Sequence, residues 1–269
     1  MKRQRLNWQE KVRKKIMDFE HVKAVFEEYL NGYDRENDKV KLKIVHTYGV
    51  IRCSEEIGRR MGLQAEDMEL AKLIALLHDI GRFEQLKRFN SFEADTMDHA
   101  TYGVQVLFEE GMIRQFIEED TWDDVIRTAI AKHSDYELTG ITDERTLLHA
   151  RLIRDADKLD NCRVKLEDAM ETLLDLSADE VGKYAISPKV REDAFAGKCI
   201  CSKDRRTPMD YWVSYVAYFY DLNFRETLDI VAEEQYVKRI IGRVPYTNEQ
   251  TKKTMEELER QLTEYVRRK

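Results

Sequence analysis

Apolar residues recur three or four positions apart along this chain and almost never alternate with polar ones, which predicts helix after helix and no extended sheet. Each helix must then bury its apolar stripe against a neighbour, so the expected fold class is all-α. Two of the stripes contain a histidine. In "KVKLKIVHTYGVIRCSEEIG" Leu42, His46, Gly49, Cys53 and Ile57 share one face, and in "WDDVIRTAIAKHSD" Ile126, Ala129, Ile130 and His133 share another. The run "ELAKLIALLHDIGRF", residues 69–83, goes further. Leu70, Leu73, Ile74, Leu76 and Leu77 make it apolar on more than one side, so His78 and Asp79 fall in the interior, where ionisable groups need a partner.

The remaining segments fill in the bundle. His99 and Gly103 share a face in "DHATYGVQVLFEEG", and the glycine lets another backbone approach closely. "LLHARLIRDADKLDN" reads as a helix with Leu148, Leu152 and Leu159 on its buried side. In "RRTPMDYWVSYVAYFYDL" Thr207 is an N-cap with Pro208 at the first helical position, and the closing helix is amphipathic through Met255, Leu258, Leu262 and Tyr265. The one seam suggested by composition runs from about 177 to 207, with Gly182, Pro188 and Gly197. There is no internal repeat and no low-complexity linker.

His46, His78, Asp79, His99, His133 and an aspartate of "RDADKLD" are thus imidazoles and carboxylates on separate helices, the ligand types of Zn, Fe, Mn and similar cations. A helical bundle can aim such side chains at one interior point, where a metal removes the cost of burying them. His21 and His149 follow no such pattern and read as exposed or structural. Helical phase favours Asp155, which shares a face with Leu152 and Leu159, over Asp157.

Composition narrows the partners. A chain of 269 residues with 36% charged side chains, 3 prolines and 11 glycines suits a soluble helical protein, and its net charge of −7 disfavours general nucleic-acid affinity. The basic amino terminus reads as a solvated helix face rather than a membrane contact. No apolar run reaches the roughly 20 residues needed to span a bilayer, and the start lacks the apolar centre of a signal peptide, so a cytoplasmic location is expected. Cys53, Cys162, Cys199 and Cys201 are too few and scattered for a disulfide framework and read as free thiols.

The order "VHTYG", "LLHDIGRF", "DHATYG", "AKHSD" and "RDADKLDN" resembles the HD superfamily of metal-dependent phosphohydrolases over about residues 40–165. The resemblance implies a metal-binding helical core, about residues 20–170, and a helical carboxy-terminal portion, 171–269, that packs on it and shapes a substrate cleft. It places a one-metal ligand set on His46, His78, Asp79 and Asp157, choosing Asp157 because the family's aspartate directly precedes Lys or Arg. In two-metal members it adds His99 and His133, with Asp79 bridging. The paired histidines and "GYP" signature of the cyclic-dinucleotide branch are missing, which argues against cyclic di-GMP as substrate.

The activity so implied is hydrolysis of a nucleotide-like phosphoester or phosphoanhydride by a metal-activated hydroxide, with two divalent ions of Fe, Mn, Zn or Ni. A di-iron oxygenase of the same superfamily and a non-catalytic nucleotide-sensing module are the alternatives. Arg82, three residues after Asp79, and Lys158, beside Asp157, are candidate phosphate clamps. Lys203, Arg205 and Arg206 could reach a longer phosphate chain, although a loop of solvated charges is the simpler reading. Tyr211, Tyr215 and Phe219 line one helix face that could stack a base, although an aromatic stripe at this spacing more often belongs to a core.

Overall fold

A computed structural model describes residues 17–93 and 95–269. Most of the basic amino-terminal stretch, residues 1–16, lies outside them. Helix α1 spans Phe19–Leu30, α2 Asp38–Met61, α3 Ala65–Leu77 and α4 Ile80–Phe89. Then follow α5, His99–Val104, which runs on into a π turn, α6, Asp123–Lys132, and the 24-residue α7, Glu144–Glu167. The carboxy-terminal helices are α8, Pro188–Phe195, α9, Pro208–Ala217, α10, Arg225–Glu233, α11, Tyr236–Ile241, and α12, Glu249–Arg268. The described residues contain no strand, so the fold is all-α.

Local chemistry sets the helix ends. The Asn37 side chain accepts from the backbone N–H groups of Lys39 and Val40 to start α2, and Asp98 does the same for Ala100 and Thr101 at α5. Thr207 and Asp210 form a reciprocal capping box at α9, with Pro208 in the first turn. The stretch read as a seam holds a single turn, Ala178–Val181, α8 and the 3₁₀ turn Ser202–Asp204 between irregular segments, and Thr247 donates its backbone N–H to Gly182 O across it.

Helix α7 is the axis of the molecule. It lies along α2 and α6 and touches α3, while α10, α11 and the turn Tyr218–Asp221 also pack on it. One continuous apolar core joins both halves. Within this wrapping, Asp155 is fully buried and faces the carboxy-terminal helices. It accepts from the backbone N–H of Asn223 and Phe224, the Asn223 amide and the Thr227 hydroxyl at 2.8–3.0 Å, thereby capping α10, whose own N-cap residue supplies no side chain. Helical phase had favoured Asp155 because α7 is buried on two sides, and the apolar stripe marks only one of them.

Replacing Asp155 with alanine leaves those donors without an acceptor, at a cost of about 3 kcal/mol or more. The expected outcome is a melting temperature lower by roughly 6–12 °C, with metal content per folded chain unchanged. Thermal unfolding paired with elemental analysis checks both halves, and loss of metal in a fully folded variant would return Asp155 to the ligand set.

No helix among the described residues is long and apolar enough to cross a membrane.

Candidate metal centre

His78 and Asp79 are the whole connection between α3 and α4. His78 caps α3 and Asp79 opens α4, so the buried apolar run delivers both side chains to the centre of the bundle. His46 comes from the middle of α2, His99 from the first turn of α5 and His133 from the carboxy-terminal end of α6. Two glycines make the approach possible. A Cβ on Gly81 would lie 2.2 Å from the carbonyl oxygen of His99, so only glycine lets α4 and α5 meet there. A Cβ on Gly49 would lie 2.0 Å from a carboxylate oxygen of Asp160, which fills that space to reach His46.

Each of three rings is held by its Nδ1. That of His78 donates to Ala75 O at 2.7 Å, that of His133 to Ile130 O at 2.7 Å and that of His46 to Asp160 Oδ2 at 2.8 Å. The Nε2 atoms therefore face inward. A carboxylate behind a histidine fixes its tautomer and raises its basicity, and Arg163 in turn grips both oxygens of Asp160 at 2.9 Å.

The inward atoms form two triads that share one carboxylate. His46, His78 and Asp79 make the first, and Asp79, His99 and His133 the second, with the ligand atoms of each within 4.8 Å of one another. Asp79 Oδ2 lies 3.4 Å from His78 Nε2, while Oδ1 lies 3.2 Å from His99 Nε2 and 3.6 Å from His133 Nε2. Asp157 Oδ1 joins the first triad, 2.9 Å from His46 Nε2 and 3.8 Å from His78 Nε2. Its side chain is 23% exposed, against at most 8% for the others, so the approach to the centre runs past Asp157.

Positive side chains crowd this anionic group. The Lys43 ammonium pairs with Asp79 Oδ2, and Arg82 donates through Nη2 to His99 Nε2 at 3.0 Å. Burial favours a neutral Asp79, but Lys43 and His78 prevail and hold its carboxyl well below the usual range. Burial, then Arg82, push the His99 imidazole down to about 3, which keeps it in the neutral form that ligates. Against its burial, the His46 ring likewise keeps Asp157 ionised.

The donor set fits a metal. His78 Nε2 is buried without a hydrogen-bond partner among the described residues, an orphan that a cation would satisfy. The types present, imidazole nitrogen and carboxylate oxygen, suit Zn, Fe, Mn and Ni alike.

Other candidates fall elsewhere. Lys158 stands beside the approach but pairs with Asp221 at 2.8 Å. Arg205 packs over the Tyr211 ring, whereas Lys203 and Arg206 are exposed. Phe219 is core; the helix tightens into a 3₁₀ turn after Ala217, and Tyr218 takes the place on the half-buried face expected for Phe219. His21 is exposed, and His149 is buried against Asp67 at 3.0 Å. All four cysteines are free thiols, none within a group of metal-ligating side chains among the described residues.

Lys43, Asp160, Asn161 and Lys165 were missed. Lys43 precedes His46 by one helical turn, and Asp160 follows Asp157 by one, so both were open to the i, i+3 rule. The HD domain family model matches residues 44–162, somewhat under half of the chain. No curated protein and no solved structure matches.

Proposed function

We propose, from a chain that carries an HD domain over residues 44–162, that this protein is a metal-dependent phosphohydrolase acting on a small nucleotide-like phosphoester or phosphoanhydride. The observation that carries the reading is the pair of triads joined by Asp79, with two cationic side chains already against them. His46, His78, Asp79 and Asp157 would hold one divalent ion and Asp79, His99 and His133 a second. Ions there would lower the pKa of bound water and take up charge developing on phosphoryl oxygens.

The chain's own residues do the rest. The Nδ1 hydrogen bonds keep three imidazoles oriented, so no reorganisation is needed when substrate arrives. Arg82 is anchored through Nη1 to Gln85 and the Phe92 carbonyl, while its buried Nε faces Asp79 Oδ1 at 3.8 Å and has no hydrogen-bond partner among the described residues. That N–H can meet a phosphoryl oxygen. Burial of nearly the whole cluster excludes bulk water and strengthens each of these contacts.

Arg82→Ala should retain metal and lose about 2 kcal/mol or more in kcat/KM, the cost of a charged hydrogen bond in a dry site. Unchanged kinetics would remove Arg82 from the site. The reading as a whole is tested by elemental analysis of the purified protein together with a phosphate-release screen across nucleotides. Oxygen consumption without phosphate release would replace it with an oxygenase.

A further inference from the structure

Lys165 lies two turns beyond Asp157 on α7, and its side chain is nine-tenths buried with 7% of the residue exposed. Its ammonium rests 4.0 Å from the centre of the Tyr215 ring and 3.3 Å from Asn161 Oδ1. No carboxylate among the described residues stands within ion-pair distance of it. Burial, followed by the nearby charge of Lys43, pushes the ammonium down to about 8, as expected for a cation that lacks a counter-ion.

The same Asn161 spans the gap to the metal centre. Its amide nitrogen donates to Asp157 Oδ1 at 2.9 Å while its oxygen faces Lys165, so one carboxamide separates the ammonium from the first triad. Asp157 is the most exposed of the ligand candidates, and Asn161, Tyr215 and Tyr218 beside it are half-buried. Through Asn161, Lys165 is thus one side chain removed from the most exposed ligand candidate. An unpaired buried cation is costly, and a structural lysine at this place gains less than an apolar residue would.

We propose that Lys165, positioned by Asn161 and backed by Tyr215, binds a second phosphate of the substrate, next to the phosphoryl group at the metal centre. The substrate class is then an organic diphosphate or longer phosphate chain rather than a simple monoester. This rests on the reading of the triads as a phosphohydrolase centre and adds the group that reads the neighbouring phosphate. The nearby positive charge of Lys43, which pairs with Asp79, adds to the attraction for such an anion.

The test uses the manganese-loaded protein and two probes, inorganic pyrophosphate and orthophosphate, with binding measured by calorimetry. Wild type should prefer pyrophosphate by about tenfold or more, the worth of one charged hydrogen bond. Lys165→Met keeps the volume and removes the charge. It should bring the preference down to within about threefold with metal content unchanged, while Lys165→Arg restores most of it. An unchanged preference in Lys165→Met, or no preference in wild type, overturns the proposal. Pyrophosphate selectivity that depends on Lys165, in a protein that releases no phosphate from any nucleotide, would sustain this site and refute the hydrolase reading.

Discussion

Asp79→Ala should remove metal and activity together. Both oxygens of this carboxylate are engaged, one toward each triad, and it is the residue the two triads have in common. Its loss also strands the Lys43 ammonium, only 12% exposed, without its counter-charge, a penalty of about 3–5 kcal/mol. Asp79→Asn separates the two effects, because the amide keeps the shape and an acceptor for Lys43 while losing the charge. Elemental analysis should find both variants depleted of metal, and turnover of any substrate identified should fall by about three orders of magnitude or more. Full metal content in folded Asp79→Asn would refute the shared-carboxylate assignment.

The second large effect concerns stoichiometry. His99 and His133 meet only the Oδ1 side of Asp79, whereas His46 and Asp157 lie on the other side. Changing either of the former to alanine should lower the metal content from about two ions per chain toward one, since few protein ligands remain at that position. Folding should persist, because the apolar core around α2, α3 and α7 is kept. Hydrolysis should drop more than about a hundredfold, as one of the charges facing the phosphoryl oxygens is lost. A double variant that still holds two ions, or a wild type that takes only one in excess metal, would decide against a dinuclear centre.

Much of this was legible in the sequence because the residues concerned obey simple periodicities. His46 and His133 stand in apolar stripes, and the buried run ending at His78 demanded a partner for the doublet. Spacing also flagged Gly103, which packs against Gly81 where α4 and α5 meet. What escaped was set by geometry between helices. Nothing local tells which face of α7 looks at the centre when both faces are buried, and so phase pointed to Asp155. Nor could Lys165 be weighed, since its significance lies in the absence of a counter-charge, a property of its three-dimensional neighbours. The exchange of Tyr218 for Phe219 had a similar origin: three residues, not four, complete a turn once the helix tightens.

The clasp on α7 has a bearing on where the chain can be divided. Adjacent to Asp155, Arg154 donates to the carbonyls of Lys132, His133 and Asp135 and, through its other nitrogen, to Asp221 at 2.6 Å. One guanidinium thus ties the loop after His133 to the carboxy-terminal helices. The segment matched by the family model ends at 162, inside α7, but the contacts that bury α7 extend beyond it. A chain cut near the family boundary would carry an exposed seam down its central helix, with a carboxylate and a guanidinium stripped of their mates directly behind Asp157. The border of the matched segment and the border of the packed core therefore differ in this molecule.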